Sequence, residues 1–164
     1  MLPQEHIKDT LVHKKYVLEA GQILIDYLFE QNRNDDAIAL AYRCARHDES
    51  KLGNEEMQEF LKLPKEGLNM KFADMPLADN ISNLIKVHWA NNRHHPEFFH
   101  DYHNMSEMDV MEMVCDWYAR SLQYGTNFKE FVQTRQKMRF KFDKDFFETV
   151  WKYCLIIDKG EYTC

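Results

Sequence analysis

The sequence predicts an all-α single domain of about six to seven helices, and three observations carry that expectation. Apolar residues recur at helical spacing along most of the 164-residue chain. Five Gly and four Pro are few for this length, which disfavours turn-rich sheet architectures. Ser, Asp and Asn stand where successive helices would begin, and no segment reads as a strand of an extended sheet. The length suits one domain over residues 1–164, and 45% hydrophobic residues supply its core.

The first helix is expected over His6 to Gln31, where Leu11/Val12, Tyr16, Ala20, Leu24 and Leu28 share a face. Asn34-Asp35-Asp36 reads as the cap of a second helix through Ile38, Ala41 and Cys44, with His47-Asp48 at its end. A short helix over 55–62 is stopped by Pro64. The stretch Pro64–Pro76 has no sustained period and reads as a loop, a candidate lid or a plain surface connection. Asp79 or Asn80 can cap a helix carrying Ile81, Leu84, Ile85 and His88, limited by Pro96. Ser106 and Asp109 resemble a capping box for a helix running to Tyr124 and ending at Gly125. Asn127 and Asp143 cap the last two. Phe128, Phe131, Phe140 and Phe142 suit either a core or a homodimer face.

The net charge of −6 argues against an extended nucleic-acid surface. Cys44, Cys115, Cys154 and Cys164 form no Cys-x-x-Cys pair, so a structural zinc knuckle is not expected. Residues 1–10 lack the apolar stretch of a signal peptide, and no run reaches membrane-spanning length. These features fit a cytoplasmic protein with free thiols and no membrane contact.

The chemistry is expected at the histidines. His13 and His88 lie beside apolar stripes, where a neutral imidazole needs a partner; a shared metal would satisfy both. Asp48 at a helix C-terminus opposes the helix dipole, a cost that a cation-binding role would offset. His47 and Asp48 could then bind from the two sides of one backbone bend. Lys51 follows one turn later, where it could hold a phosphate oxygen; otherwise it is a solvated lysine. Asp109, Glu112 and Asp116 share one face of a later helix. Asp116 is the best ligand among them, and Glu112 could accept a hydrogen bond from a ligating histidine. If the fourth helix persists to His95, that residue lies two turns from His88 and is favoured over His94 as its companion. His6, His100 and His103 read as surface or rim residues. Nitrogen and oxygen ligands with an open position lower the pKa of a bound water towards neutrality, which points to hydrolysis.

The order His13, His47-Asp48, Asp116 resembles the HD superfamily of metal-dependent phosphohydrolases. Asp48-Glu49-Ser50-Lys51 is similar to the extension found in many of its two-metal members. His88 and His94-His95 are similar to the additional ligands of those members. The stretches 88–97 and 112–117 look like those of a small HD-like family of bacterial and phage proteins, which brings no assigned substrate. The resemblance spans about His13 to Tyr124. It implies an HD-like helical bundle holding one or two divalent metals, with Mn, Fe, Co, Zn and Mg all admissible. The metal would bind His13, His47, Asp48 and Asp116, with His88, His94 or His95 holding a second ion or phosphate. Asp48 and Lys51 would serve catalysis, and Lys51 and Arg93 would neutralise phosphate. The implied substrate is a nucleotide or other small phosphate ester. The Gly-Tyr-Pro segment of cyclic-dinucleotide phosphodiesterases is missing, so that substrate is not carried over. Two other readings stand beside this one: a mixed-valent di-iron oxygenase of HD type, and a non-catalytic helical binding module.

Overall fold

The structure, a computed structural model, describes residues 2–61 and 79–160. Its regular elements are helical: α1 Pro3–Glu30, α2 Asn34–Arg46, α3 Asn54–Leu61, α4 Asp79–Asn91, α5 Glu107–Tyr124, α6 Phe128–Arg135 and α7 Lys144–Lys159. Among the described residues there is no strand. The expected loop over 64–76 and the thiol of Cys164 lie outside the described residues.

The long helix α1 is the spine of the bundle. Its buried side carries His13, Val17, Ala20, Gly21, Leu24 and Leu28, a stripe of three- and four-residue steps. It packs chiefly against α2 and α5. The contact with α2 is close at Gly21, where an added Cβ would lie 2.7 Å from Cys44 Sγ. Leu24, Leu28 and Leu40 are fully buried, each contributing roughly 2 kcal/mol by removal of apolar surface from water. Because His13 shares this stripe, core packing also delivers an imidazole to the interior.

The ends of the helices follow local chemistry. Ser106 Oγ accepts from the Asp109 amide at 3.2 Å while Asp109 Oδ2 accepts from the Ser106 amide at 2.8 Å, the expected capping box of α5. Gly125 ends α5 in the left-handed region at φ 63°. Asn127 and Asp143 cap α6 and α7 through their side chains, as expected. The cap expected at Asn34 is displaced by one residue. Arg33 occupies the cap position without a side-chain cap bond, because Asn32 turns the chain through φ 57° and Asn34 already lies in the helix. Between α6 and α7, residues Gln136–Phe140 form a π-turn. Phe128, Phe131 and Phe142 are buried, and Phe140 stacks on Trp117 and Phe142, so these rings belong to the core of this chain and not to a free face.

Candidate metal centre

The centre of the site is a break in the chain. Helix α2 ends at Arg46; His47 follows in extended geometry, and Asp48 adopts the left-handed conformation at φ 53°. A non-glycine residue there costs about 1 kcal/mol, and aspartate is among the residues that tolerate it. The bend sends the side chains of two consecutive residues to different sides of one point. A 3-10 turn over Glu49–Leu52 then brings Lys51 back, with its ammonium ion-paired to Asp48 Oδ2. Lys51 is only 5% exposed, so it is not a solvated lysine.

Four elements converge on this bend. On one side, His13 Nε2 from α1 lies 3.3 Å from His47 Nε2 and 2.9 Å from Asp116 Oδ1 of α5. Asp48 Oδ2 lies 3.7 Å from His13 Nε2 and 3.5 Å from His47 Nε2. On the other side, Asp48 Oδ1 lies 3.5 Å from His88 Nε2 and 3.4 Å from His94 Nε2, while His95 Nε2 is 2.9 Å from His88 Nε2. Ligand atoms about 2.0–2.2 Å from one ion lie about 3.0–3.5 Å apart in octahedral or tetrahedral arrangements. Both groups have spacings of that kind, and the two oxygens of Asp48 serve one group each.

Two buried atoms test whether hydrogen bonding alone accounts for the cluster. Asp48 Oδ1 and His94 Nε2 are both sealed from solvent and have no hydrogen-bond partner, although they face each other. A buried carboxylate oxygen and a buried ring nitrogen left in this state are costly. A divalent cation between them satisfies both, so the donor set fits a metal. His13, His47 and Asp116 form one group able to hold an ion, with Asp48 Oδ2 3.5–3.7 Å from its two imidazoles; Asp48, His88, His94 and His95 form another, and His47, His94 and Glu112 a third.

The ring orientations agree with this. Four histidines use Nδ1 on a neighbour and leave Nε2 facing Asp48 or Asp116. His13 Nδ1 donates to Gln123 Oε1 at 3.0 Å, and His88 Nδ1 to Glu56 Oε2 at 2.9 Å. His47 and His94 both donate to Glu112 Oε1, at 3.0 and 3.2 Å. The other oxygen of Glu112 accepts from Arg43 Nε at 2.8 Å, so the whole carboxylate is engaged. Such bonds fix ring rotation and raise the basicity of the inward nitrogen.

Burial and charge divide the rings. Burial, with Arg120 nearby, drives His13 down to about 3. Burial also disfavours the charged form of His47, but Asp48, Asp116 and Glu112 outweigh it and lift that ring to about 10. His94 is raised in the same way, since Asp48 and Glu112 overcome burial and His47. His88 and His95 are lowered by burial. Burial opposes the ionised form of Asp48, yet His47, Lys51 and His88 hold it well below the usual carboxylate range.

Several sequence-derived placements change. Helix α4 ends at Asn91, so His94 and His95 lie in an irregular turn and not two helical turns beyond His88. The turn brings both rings inward, with His94 only 2% exposed and aimed at Asp48. Arg93 points elsewhere: its guanidinium meets Asp109 at 3.3 Å and lies over Phe98 and Phe99, with a side chain 52% exposed. His6, read as a surface residue, is buried, stacks on Phe60 at 4.5 Å and donates to the Lys51 carbonyl at 2.9 Å. Asp109, Glu112 and Asp116 are buried, so the acidic row of α5 is not a solvated face. His100 and His103 are exposed, and His103 pairs with Asp101 and Asp143. Glu56, Arg43, Arg120 and Gln123 escaped the sequence reading. Arg120 and Gln123 extend the Asp109–Glu112–Asp116 face by two more steps, and Glu56 lies one turn before Phe60.

No helix among the described residues is long and apolar enough to cross a membrane. No curated protein and no solved structure matches the chain. A family's sequence model does match, over residues 2–154, and the chain therefore belongs to a family of unknown function, DUF5662.

Proposed function

We propose that this protein is a binuclear metal-dependent phosphohydrolase of the HD type, acting on a nucleotide or another small phosphate ester. The observation that carries the reading is Asp48, whose two carboxylate oxygens each face a separate group of imidazoles, with Oδ1 buried and unpartnered. A carboxylate so placed would let Asp48 contribute to both groups, and a pair of divalent cations held there would supply the charge to clamp a phosphoryl group. Divalent ions in these positions would supply Lewis acidity and bring the pKa of a water near neutrality.

The chain's own residues have definable tasks. His13, His47 and Asp116 would hold one ion and His88, His94 and His95 the other, with Asp48 contributing to both. Glu112 and Glu56 keep the Nε2 atoms directed inward. Lys51, held against Asp48, places positive charge beside the bridge, where it can neutralise a phosphoryl oxygen as negative charge develops. Arg93 is given no part, because its guanidinium is engaged by Asp109.

The test is metal analysis of the purified protein followed by a phosphate-release screen over nucleotides with Mn, Co, Zn and Mg. The expected outcome is about two ions per chain and release from at least one ester, both lost in His47→Ala. Absence of bound divalent metal, with His47→Ala unchanged in stability and metal content, overturns the reading. Two irons with an oxygen-dependent optical change and no phosphate release would move the assignment to a di-iron oxygenase.

A further inference from the structure

Arg135, the last residue of α6, is 8% exposed and its Nε is buried without a hydrogen-bond partner. Every other arginine hydrogen-bonds a neighbouring side chain. Arg135 makes no hydrogen bond or ion pair among the described residues; its guanidinium lies over the ring of Phe131, 4.8 Å from the centroid. A guanidinium remains charged in any protein environment, so a buried one without a counter-ion is costly to the fold. Burial and the nearby Arg139 and Arg120 disfavour its charge, while Tyr124 and Asp116 favour it.

The position of this charge is informative. Asp116, Arg120 and Tyr124 follow at four-residue steps along α5, and Asp116, Arg120 and Tyr124 all act electrostatically on Arg135. Asp116 cannot serve as its counter-ion, since its carboxylate is directed at His13 and approached by Arg120 Nε at 3.8 Å. Arg139 is committed to Glu97. The backbone beyond Arg135 is held in its π-turn by Gln136, whose side chain binds both the amide and the carbonyl of Phe142. The cation is thus held over Phe131, which contacts Tyr124 of α5, within electrostatic reach of Asp116, and its buried Nε is unpartnered.

We infer that Arg135, with Arg120 beside it, forms an anion subsite that takes a second phosphate of the substrate, next to the phosphate held at the metal centre. The substrate is then a di- or triphosphate, or a bisphosphorylated small molecule, and not a simple monophosphate ester. The planar guanidinium suits this because it presents paired donors to phosphate oxygens. The inference rests on the binuclear reading for the reacting phosphate, but the anion subsite can be tested apart from turnover.

Zinc-loaded protein is titrated calorimetrically with methylenediphosphonate, which carries two phosphonates and resists hydrolysis, and separately with methylphosphonate, which carries one. Arg135→Met keeps the apolar stem over Phe131 and removes the charge. It is expected to weaken diphosphonate binding about tenfold or more, with zinc content and methylphosphonate affinity within about twofold of wild type. Unchanged diphosphonate affinity overturns the inference, and so does an equal loss for both ligands. A second measurement needs no variant: in the wild-type protein, diphosphonate should shift the Arg135 Nε–H nitrogen-15 resonance and methylphosphonate should not. No shift with either ligand overturns the subsite. If zinc fails to bind while diphosphonate still moves that resonance, the metal reading falls and the anion subsite stands; full zinc loading with a silent Arg135 gives the reverse.

Discussion

The two groups of ligands around Asp48 are built by different parts of the fold. His13, His47 and Asp116 come from α1, the end of α2 and α5, three helices packed on one another over their length. His88, His94 and His95 come from one short stretch that straddles the end of α4 and continues as an irregular turn. In the first group the core positions the ligands, since His13 and Asp116 share buried faces with Val17 and Cys115. In the second, hydrogen bonds among the described residues hold the ligands in place. Glu56 holds His88, Glu112 reaches across to His94, and Asn92 binds Ser50 Oγ at 2.8 Å and the His88 carbonyl at 2.7 Å. A preformed site on packed helices is thus joined, through Asp48, to a site that depends on its polar supports.

The strongest way to break this comparison is at the shared residue. Asp48→Asn should cost both halves at once, because an amide offers only one oxygen and leaves the Lys51 ammonium facing an NH2 group. The expected result is loss of at least one metal per chain and a fall in phosphate release on the order of 10³-fold. Metal analysis with circular dichroism checks it: retention of both ions with normal activity would remove Asp48 from its bridging role. A metal-binding loss without unfolding separates this from simple destabilisation.

Smaller changes should distinguish the halves. Glu112 holds one histidine of each group, whereas Glu56 holds only His88. Glu112→Gln should weaken both metals about 10–100-fold, since it removes the charge behind two imidazoles and sets an NH2 group against Arg43 or the rings. Glu56→Gln should weaken only the second metal, by about tenfold, leaving the first unchanged. Stepwise competition titration with a chelator reads the two affinities separately. A loss at both sites on changing Glu56 would show that the two groups are not independently supported.

The same contrast explains which parts of the site were legible in the sequence. His13 and Asp116 announce themselves because they sit in the period of long amphipathic helices, and Ser106 and Gly125 bound α5 by local rules that tertiary packing did not override. His47-Asp48 was legible as a polar pair misplaced at a helix end. The placement of His94 and His95 was not, because extrapolating helical phase past Asn91 assumes a backbone that the turn abandons. His6 was misread since its partners, Phe60 and the Lys51 carbonyl, come from elements distant in sequence. Glu56, Arg43 and Arg135 show the general difficulty. A charged residue on an amphipathic helix ordinarily faces water, and only the packed neighbours reveal that Glu56 and Arg135 are buried and Arg43 half-buried.

The mildest test uses protons. In the metal-free protein His47 has a pKa near 10 and His13 near 3, so at pH 7 the first group holds one imidazolium. In the second group, against burial, His94 is raised by Asp48 and Glu112, while burial lowers His88 and His95. A ligating nitrogen must be deprotonated, so the metal of the first group should release about one proton near neutral pH. Affinity for that ion should then rise about tenfold per pH unit between pH 6 and 8. Titration in buffers of different ionisation heat measures the released protons directly. Stability of the metal-free protein moves in two directions. The contribution of His47, whose folded pKa is raised, is fully present below its unfolded value near 6.5 and is lost as pH rises towards about 10. The contribution of His13, whose folded pKa is depressed, is present above 6.5 and lost as pH falls towards about 3. Metal uptake replaces the His47 proton with a cation that does not titrate away, so the metal-loaded protein should keep its melting temperature on the alkaline side where the metal-free protein loses it. Equal alkaline losses in both forms would mean that the His47 imidazolium and the metal do not compete for one site.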